Sequence, residues 1–128
     1  MAVRIVQLGS PRVSNEGLRI GTVRRPPRGV PKSEYASRNY YDVWLPNLAP
    51  SEPLLKAGRT AKDGTAWRSF VKRFRSEMSR AENSRVLDLL AALSHHANFS
   101  VGCYCNDEQH CHRSVLRQLL AERGASLA

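Results

Sequence analysis

The residues with the clearest chemical potential lie together near the end of the chain, in the run Gly102-Cys103-Tyr104-Cys105-Asn106-Asp107-Glu108-Gln109-His110-Cys111-His112-Arg113. Apolar residues precede this run and a helical pattern follows it, so it joins a strand end, a polar turn and a helix start. The first turn of a helix presents backbone N–H groups without partners, which favour an anion. We therefore expect a ligand-binding turn that includes Cys103, Asp107, His110 and Arg113.

Cys111 is the candidate nucleophile of this turn, and His112 is the second candidate catalytic residue. The helix start and Arg113 would favour the thiolate, which is the reactive form of cysteine. The alternative is an inert packed thiol, because Cys111 lies four residues before Val115 on the apolar face of the helix. Cys105 lies nearer the polar loop and is expected to be the more accessible thiol.

The same run holds enough cysteine and histidine for a zinc site. In an extended strand Cys103 and Cys105 point to opposite faces, and on a helix Cys111 and His112 diverge by about 100°. Because these directions do not converge on one ion, the sequence predicts no bound metal and no cofactor. A zinc-stabilised interaction domain stays the alternative. A phosphatase loop of the Cys-x5-Arg type is excluded, since the residue in the arginine position after Cys105 is Cys111.

A second concentration of positive charge lies in the proline-rich segment 24–32. It carries Arg24, Arg25 and Arg28 without an acidic residue, and its prolines exclude a regular helix or a central strand. A restrained loop could hold these guanidinium groups apart before a phosphate arrives. The alternative is a solvated charge run. Four aromatic residues follow that could stack on a base or form core: Tyr35, Tyr40, Tyr41 and Trp44.

Composition sets wider bounds on the chain. Its 128 residues are 41% hydrophobic and carry a formal net charge of +9, which fits a single domain over residues 1–128 that attracts polyanions. Three cysteines cannot all pair within one chain, and the N-terminus does not resemble a secretory leader, so we expect a cytoplasmic protein. No run of about 18 apolar residues occurs, which excludes a membrane span.

Hydrophobic patterning places both clusters on alternating strands and helices. The pattern predicts strands over residues 3–8, 18–23, 41–45 and 99–103, and helices over 51–58, 66–80 and 82–93, with a last helix closed by Gly124. The predicted buried stripes are Trp67, Phe70, Val71, Phe74 and Met78 in one helix, Val86, Leu89, Leu90 and Leu93 in the next, and Val115, Leu116, Leu119 and Leu120 in the last. This alternation favours a layered α/β domain with helices flanking a sheet, and the short first connections favour a mixed sheet.

Two stretches resemble the YeaO-like proteins, domain of unknown function family 488. One runs from Arg19 through the basic loop to Gly29, and the other comprises Cys103, Asp107, His110 and the triplet Cys111-His112-Arg113. The resemblance implies a compact α/β domain and no settled activity. Where such proteins commonly show an acidic residue two positions after the first cysteine, this chain has Cys105, so a carboxylate role there does not carry over.

Two hypotheses of function follow. In the first, the basic loop and the Cys-His-Arg turn share one anionic group, such as the phosphate of a nucleotide or nucleic acid, in an enzyme or a binding domain. In the second, the chain is a basic nucleic-acid-binding module whose cysteines are merely packed. The salt dependence of ligand affinity distinguishes the two hypotheses, because a module that contacts several phosphates loses affinity steeply as the salt concentration rises.

Overall fold

The computed structural model describes residues 1–61 and 63–128, which form an α/β fold of four strands and four helices. The strands are β1 (Val3–Gln7), β2 (Leu18–Gly21), β3 (Val43–Trp44) and β4 (Phe99–Cys103). The helices are α1 (Glu52–Arg59), α2 (Gly64–Met78), α3 (Ala81–Leu93) and α4 (His112–Glu122). None of the helices in these ranges is long and apolar enough to cross a membrane.

The sheet has the strand order β1-β4-β2-β3, and every pairing in it is parallel. The α/β class is confirmed, but the expected mixed pairing is wrong. The expectation assumed that a short connection joins antiparallel neighbours. Instead, β4 lies between β1 and β2. Residues 8–17 therefore cross over the position of β4 and return to the edge of the sheet where the parallel strands begin.

All four helices contribute to one apolar core with a single face of the sheet. The α2 stripe is confirmed: Phe70, Phe74 and Met78 are buried, and Asp63 caps the helix by accepting a hydrogen bond from the Ala66 N–H at 2.7 Å. The α3 stripe differs from the prediction. The helix buries Asn83, Leu87, Leu90 and Ala91, whereas Leu89 and Leu93 are exposed.

The opposite face of the sheet carries a buried ion pair. The Arg19 guanidinium in β2 is fully buried and donates to the Glu16 carboxylate from Nε at 2.7 Å. The same carboxylate accepts a hydrogen bond from Ser100 Oγ in β4. Arg19 also donates to the carbonyl oxygens of Ser10 and Asn39, so one side chain ties two loops to the middle of the sheet.

Candidate functional site

The candidate site lies at the carboxyl end of the central strand. In parallel sheets, ligands bind beyond this edge. Thr22 continues from β2 and donates to the Gly102 carbonyl through both its N–H and its hydroxyl, each at 2.9 Å. These bonds fix the position of Cys103, which is the last residue of β4 and is 1% exposed.

Cys111 caps α4 rather than lying within it. Its φ of −133° and ψ of 149° are extended, so the 100° step between helical neighbours does not apply to Cys111 and His112. The cysteine side chain therefore turns toward the strand end, and its Sγ contacts that of Cys103. The two Cα atoms are 7.9 Å apart, beyond the range of about 4.4–6.8 Å usual for disulfides, so we describe a pair of neighbouring thiols. The expectation that these side chains diverge is wrong.

His112 is buried in a defined orientation. Its Nε2 lies 2.6 Å from the Thr22 carbonyl oxygen, which accepts only if this nitrogen carries the proton. Nδ1 is then unprotonated, and it faces Cys111 Sγ at 3.8 Å. Burial lowers the pKa of His112 to about 4, with smaller contributions from Arg113 and Arg24, so the ring is neutral near pH 7.

Arg113 is a buried cation without a carboxylate partner in the described part of the chain. Its NH2 group donates to the Cys105 carbonyl at 2.7 Å, while its Nε has no hydrogen-bond partner. Burial lowers the pKa of this guanidinium. A buried, incompletely satisfied positive charge is costly unless a ligand compensates it.

The remaining residues of the turn lie at its surface. Cys105 is exposed, as expected for the more accessible thiol, and loss of solvation raises its pKa despite the nearby Arg113. Asp107 and His110 face each other at the surface with Oδ2 and Nδ1 2.8 Å apart, and this hydrogen bond lowers the pKa of the Asp107 carboxyl. The His110 ring also packs edge-on against Trp67 of α2.

Two adjoining cavities open beside the thiols and His112. The larger, of 180 Å³, is lined by Val23, Arg24, Arg25, Pro50, Leu55, Arg59, Cys103, Tyr104, Cys105 and His112. The smaller, of 100 Å³, shares part of this wall and adds Cys111, His110 and Trp67. Arg24 and Arg25 of the basic loop therefore share a cavity with Cys103 and His112, whereas Arg113 lines neither cavity.

The three arginines of the basic loop have different roles. The Arg24 guanidinium is held by the carbonyl oxygens of Pro50 and Ala49, each at 3.0 Å, so its position is fixed. Arg25 forms an exposed bidentate pair with Glu52. Arg28 does not line the 180 Å³ cavity and lies in an outer cavity of 320 Å³, together with Arg25, Arg59, Tyr40, Tyr104 and two prolines. We call the 180 Å³ and 320 Å³ cavities together the arginine cleft.

Arg59 is the residue of this cleft that sequence reasoning missed. It ends α1 and is exposed. It lines the 180 Å³ cavity, which we call the inner cavity, as well as the outer 320 Å³ cavity and the 100 Å³ cavity. No acidic side chain pairs with it in the described part of the chain. Its sequence context shows only a basic last turn of a short helix, which is common, so nothing local marked it.

A sequence model for a protein family described as the active DUF488-N3 subclade matches residues 3–124. No curated protein and no solved structure matches the chain.

Proposed function

Because the chain belongs to the DUF488 family, within the subclade described as active, we propose that it is an enzyme acting on a phosphate-bearing nucleotide or nucleic acid held in the arginine cleft. The single observation that carries the proposal is the 180 Å³ cavity, whose wall brings three arginines together with the buried Cys103 thiol and the buried, neutral His112 imidazole. The chemistry of the cavity wall supports an anionic ligand, and the buried thiol and imidazole beside it are groups that enzymes use in catalysis.

The inner cavity is suited to the phosphate. Arg24 is held in place by backbone carbonyls and has no carboxylate partner in the described ranges, so it keeps its charge available without a loss of side-chain entropy on binding. Arg59 adds a second guanidinium without a carboxylate partner among the described residues, and Arg113 donates to the carbonyl of Cys105, a residue of the cavity wall. Charge-assisted hydrogen bonds of this kind are the strong ones.

The outer cavity is suited to a nucleoside. Tyr40 and Tyr104 meet edge to face with ring centroids 6.2 Å apart, and both line the 320 Å³ cavity beside Arg25 and Arg28. Tyr104 also donates from its hydroxyl to the Arg25 carbonyl, which fixes this ring against the basic loop. Aromatic faces beside arginines can stack on bases.

Cys111 and His112 remain the proposed catalytic residues; His112 lines the arginine cleft, and both line the adjoining 100 Å³ cavity. His112 Nδ1 is the nitrogen free to act toward Cys111, since Nε2 is bound to Thr22. The single domain over residues 1–128 and the cytoplasmic location also stay predictions.

The binding part is tested by titrating the protein with nucleoside monophosphates and with inorganic phosphate, followed by NMR chemical shifts. Arg59→Gln should raise the dissociation constant about 10- to 100-fold, since a hydrogen bond to a charged group contributes about 1.5–3 kcal/mol. Arg59 is exposed, so its loss leaves the fold intact. Arg73→Gln in α2 removes the same charge from an exposed site outside the cleft and is the matched control.

Equal losses of ligand affinity in Arg59→Gln and Arg73→Gln would favour the alternative function, a basic nucleic-acid-binding module that uses its whole surface. The absence of any shift at the cleft with all ligands would refute the proposal. Catalysis is tested by chromatographic detection of products from the ligands that bind, comparing the wild type with Cys111→Ser.

A further inference from the structure

The cluster at the floor of the cleft has the composition of a metal centre. Its three donor atoms are Cys103 Sγ, Cys111 Sγ and one nitrogen of His112, and all lie within 4.8 Å of one another. We propose that Cys103, Cys111 and His112 bind one Zn²⁺ ion whose fourth position faces the arginine cleft. The catalytic meaning of this ion rests on the proposed function, whereas its binding does not.

The spacing of Cys111 Sγ and His112 Nδ1 fits a tetrahedral ion, whereas the two sulfurs are in contact and would move apart when they bind it. With Zn–S bonds of about 2.3 Å and Zn–N bonds of about 2.05 Å, a sulfur and a nitrogen on one ion lie about 3.6 Å apart, and two sulfurs about 3.8 Å. Cys111 Sγ and His112 Nδ1 are 3.8 Å apart. Thiolate and imidazole together favour zinc over calcium or magnesium, which prefer oxygen ligands.

The second nitrogen of His112 is held as it is in zinc proteins. Ligand histidines usually donate their other N–H to a carboxylate or a backbone carbonyl, which fixes the ring and the tautomer. Here Nε2–H donates to the Thr22 carbonyl at 2.6 Å, so Nδ1 presents its lone pair toward the thiols. Phe74 packs edge-on against the same ring, with centroids 5.6 Å apart, and limits its rotation.

The cluster is buried yet reaches the cavities. Cys103 and His112 line the 180 Å³ cavity, while Cys111 and His112 line the 100 Å³ cavity. Three protein ligands with an open position characterise catalytic zinc sites, whereas structural sites use four. Two thiolates balance the charge of the ion, which leaves the arginines free to hold the anion. With the ion bound, Cys111 and His112 would take part in the reaction as ligands of the ion, and this role replaces the nucleophilic one considered for Cys111 in the metal-free chain.

The test uses the full chain, purified under reducing conditions without chelators and analysed for bound metals. The metal-free protein is then titrated with Co²⁺, whose thiolate charge-transfer and visible bands report coordination, and with Zn²⁺ in competition. We expect one equivalent of ion per chain and a sulfur-to-cobalt band. Because ion binding favours the folded state, saturating Zn²⁺ should also raise the melting temperature.

Variants show which residues bind the ion. Cys103→Ser, Cys111→Ser and His112→Ala should each lose stoichiometric binding, whereas Cys105→Ser and His110→Ala, which change a nearby cysteine and histidine outside the cluster, should keep it. The titration of the wild type does not depend on whether the variants fold.

The proposal is overturned if the reduced wild type binds neither ion, if Cys105→Ser abolishes binding as fully as Cys103→Ser, or if peptide mapping shows a Cys103–Cys111 disulfide in protein kept reduced. Phosphate binding without metal binding would refute the zinc site alone. Metal binding without any nucleotide or phosphate binding would refute the function alone.

Discussion

Removal of the charge on Glu16 should destabilise the protein by about 3–5 kcal/mol, because it leaves the Arg19 guanidinium buried without its counter-ion. The Glu16 carboxylate is 3% exposed and accepts four hydrogen bonds: two from Arg19 at 2.7 and 2.9 Å, one from Ser100 Oγ at 2.8 Å and one from the Val13 N–H at 3.3 Å. In Glu16→Gln, one carboxylate oxygen becomes an amide donor that faces existing donors. The hydrogen bonds to that oxygen are then lost.

The loss can be measured by urea unfolding near pH 7, compared with the exposed Glu34→Gln as a control. Glu34 lies 3.8 Å from Arg38 in an ion pair whose side chains are 50% and 48% exposed, so its variant should change the free energy of unfolding by less than about 0.5 kcal/mol. A loss below about 1 kcal/mol in Glu16→Gln would refute the reasoning, since it would mean that the cation finds other acceptors or water.

The dependence of this difference on pH provides a second check. Burial alone would raise the pKa of Glu16, but the hydrogen bonds from Arg19, Ser100 and Val13 outweigh it and hold the pKa below the usual 4.5. The carboxylate therefore stabilises the fold above about pH 4.5, and this contribution disappears as the pH falls through the lower folded-state pKa. The gap between wild type and Glu16→Gln should be constant from pH 5 to pH 7 and shrink in acid. A gap that persists unchanged at pH 3 contradicts the assignment.

Three further predictions concern the site. Arg113→Met should leave the melting temperature equal or higher, because it removes a buried cation whose Nε has no hydrogen-bond partner among the described residues. The same variant should weaken phosphate binding at least about tenfold. Thermal melts measure the first effect and phosphate titrations the second. Iodoacetamide followed by mass spectrometry should modify Cys105 first, while Cys103 and Cys111 react only on unfolding, and early modification of Cys111 would contradict their burial. Gly102→Ala should lower the free energy of unfolding by about 1–3 kcal/mol, because the added Cβ would lie 2.5 Å from the Val6 carbonyl oxygen of β1. Denaturant unfolding measures this change. An unchanged unfolding midpoint would show that the two strands can move apart to admit the methyl group.

Local patterns predicted the elements of this fold, whereas its strand order depends on distant contacts. The α2 helix follows from apolar residues at helical spacing, and β4 from a short buried run, so both were predictable. That β4 inserts between β1 and β2 is decided by pairings such as Val3 with Phe99, which no local pattern encodes. The exposed Leu89 likewise shows that an apolar stripe does not identify the helix face that neighbouring helices cover.

The candidate site was predictable in its location but not in its geometry. Strand end, polar turn and helix start placed Cys103, Cys111 and His112 together in sequence. Their convergence depends on the extended backbone of Cys111, which a helical wheel cannot represent because the residue lies one position outside the helix. Arg59 reaches the same cavity from α1, and only the packing of that helix beside the basic loop brings it there.

The strand order also affects how the chain reaches its folded state. The central strand β4 is the last to be synthesised, yet it pairs with both β1 and β2. While the ribosome is still making residues 22–98, β1 has no partner strand, and its β-branched side chains are open to association with other nascent chains. Such long-range pairing folds slowly. Because Cys103, Cys111 and His112 emerge with or just after β4, the nascent chain would acquire its reactive groups in the same final step that completes the sheet, and a prematurely terminated product would carry none of them.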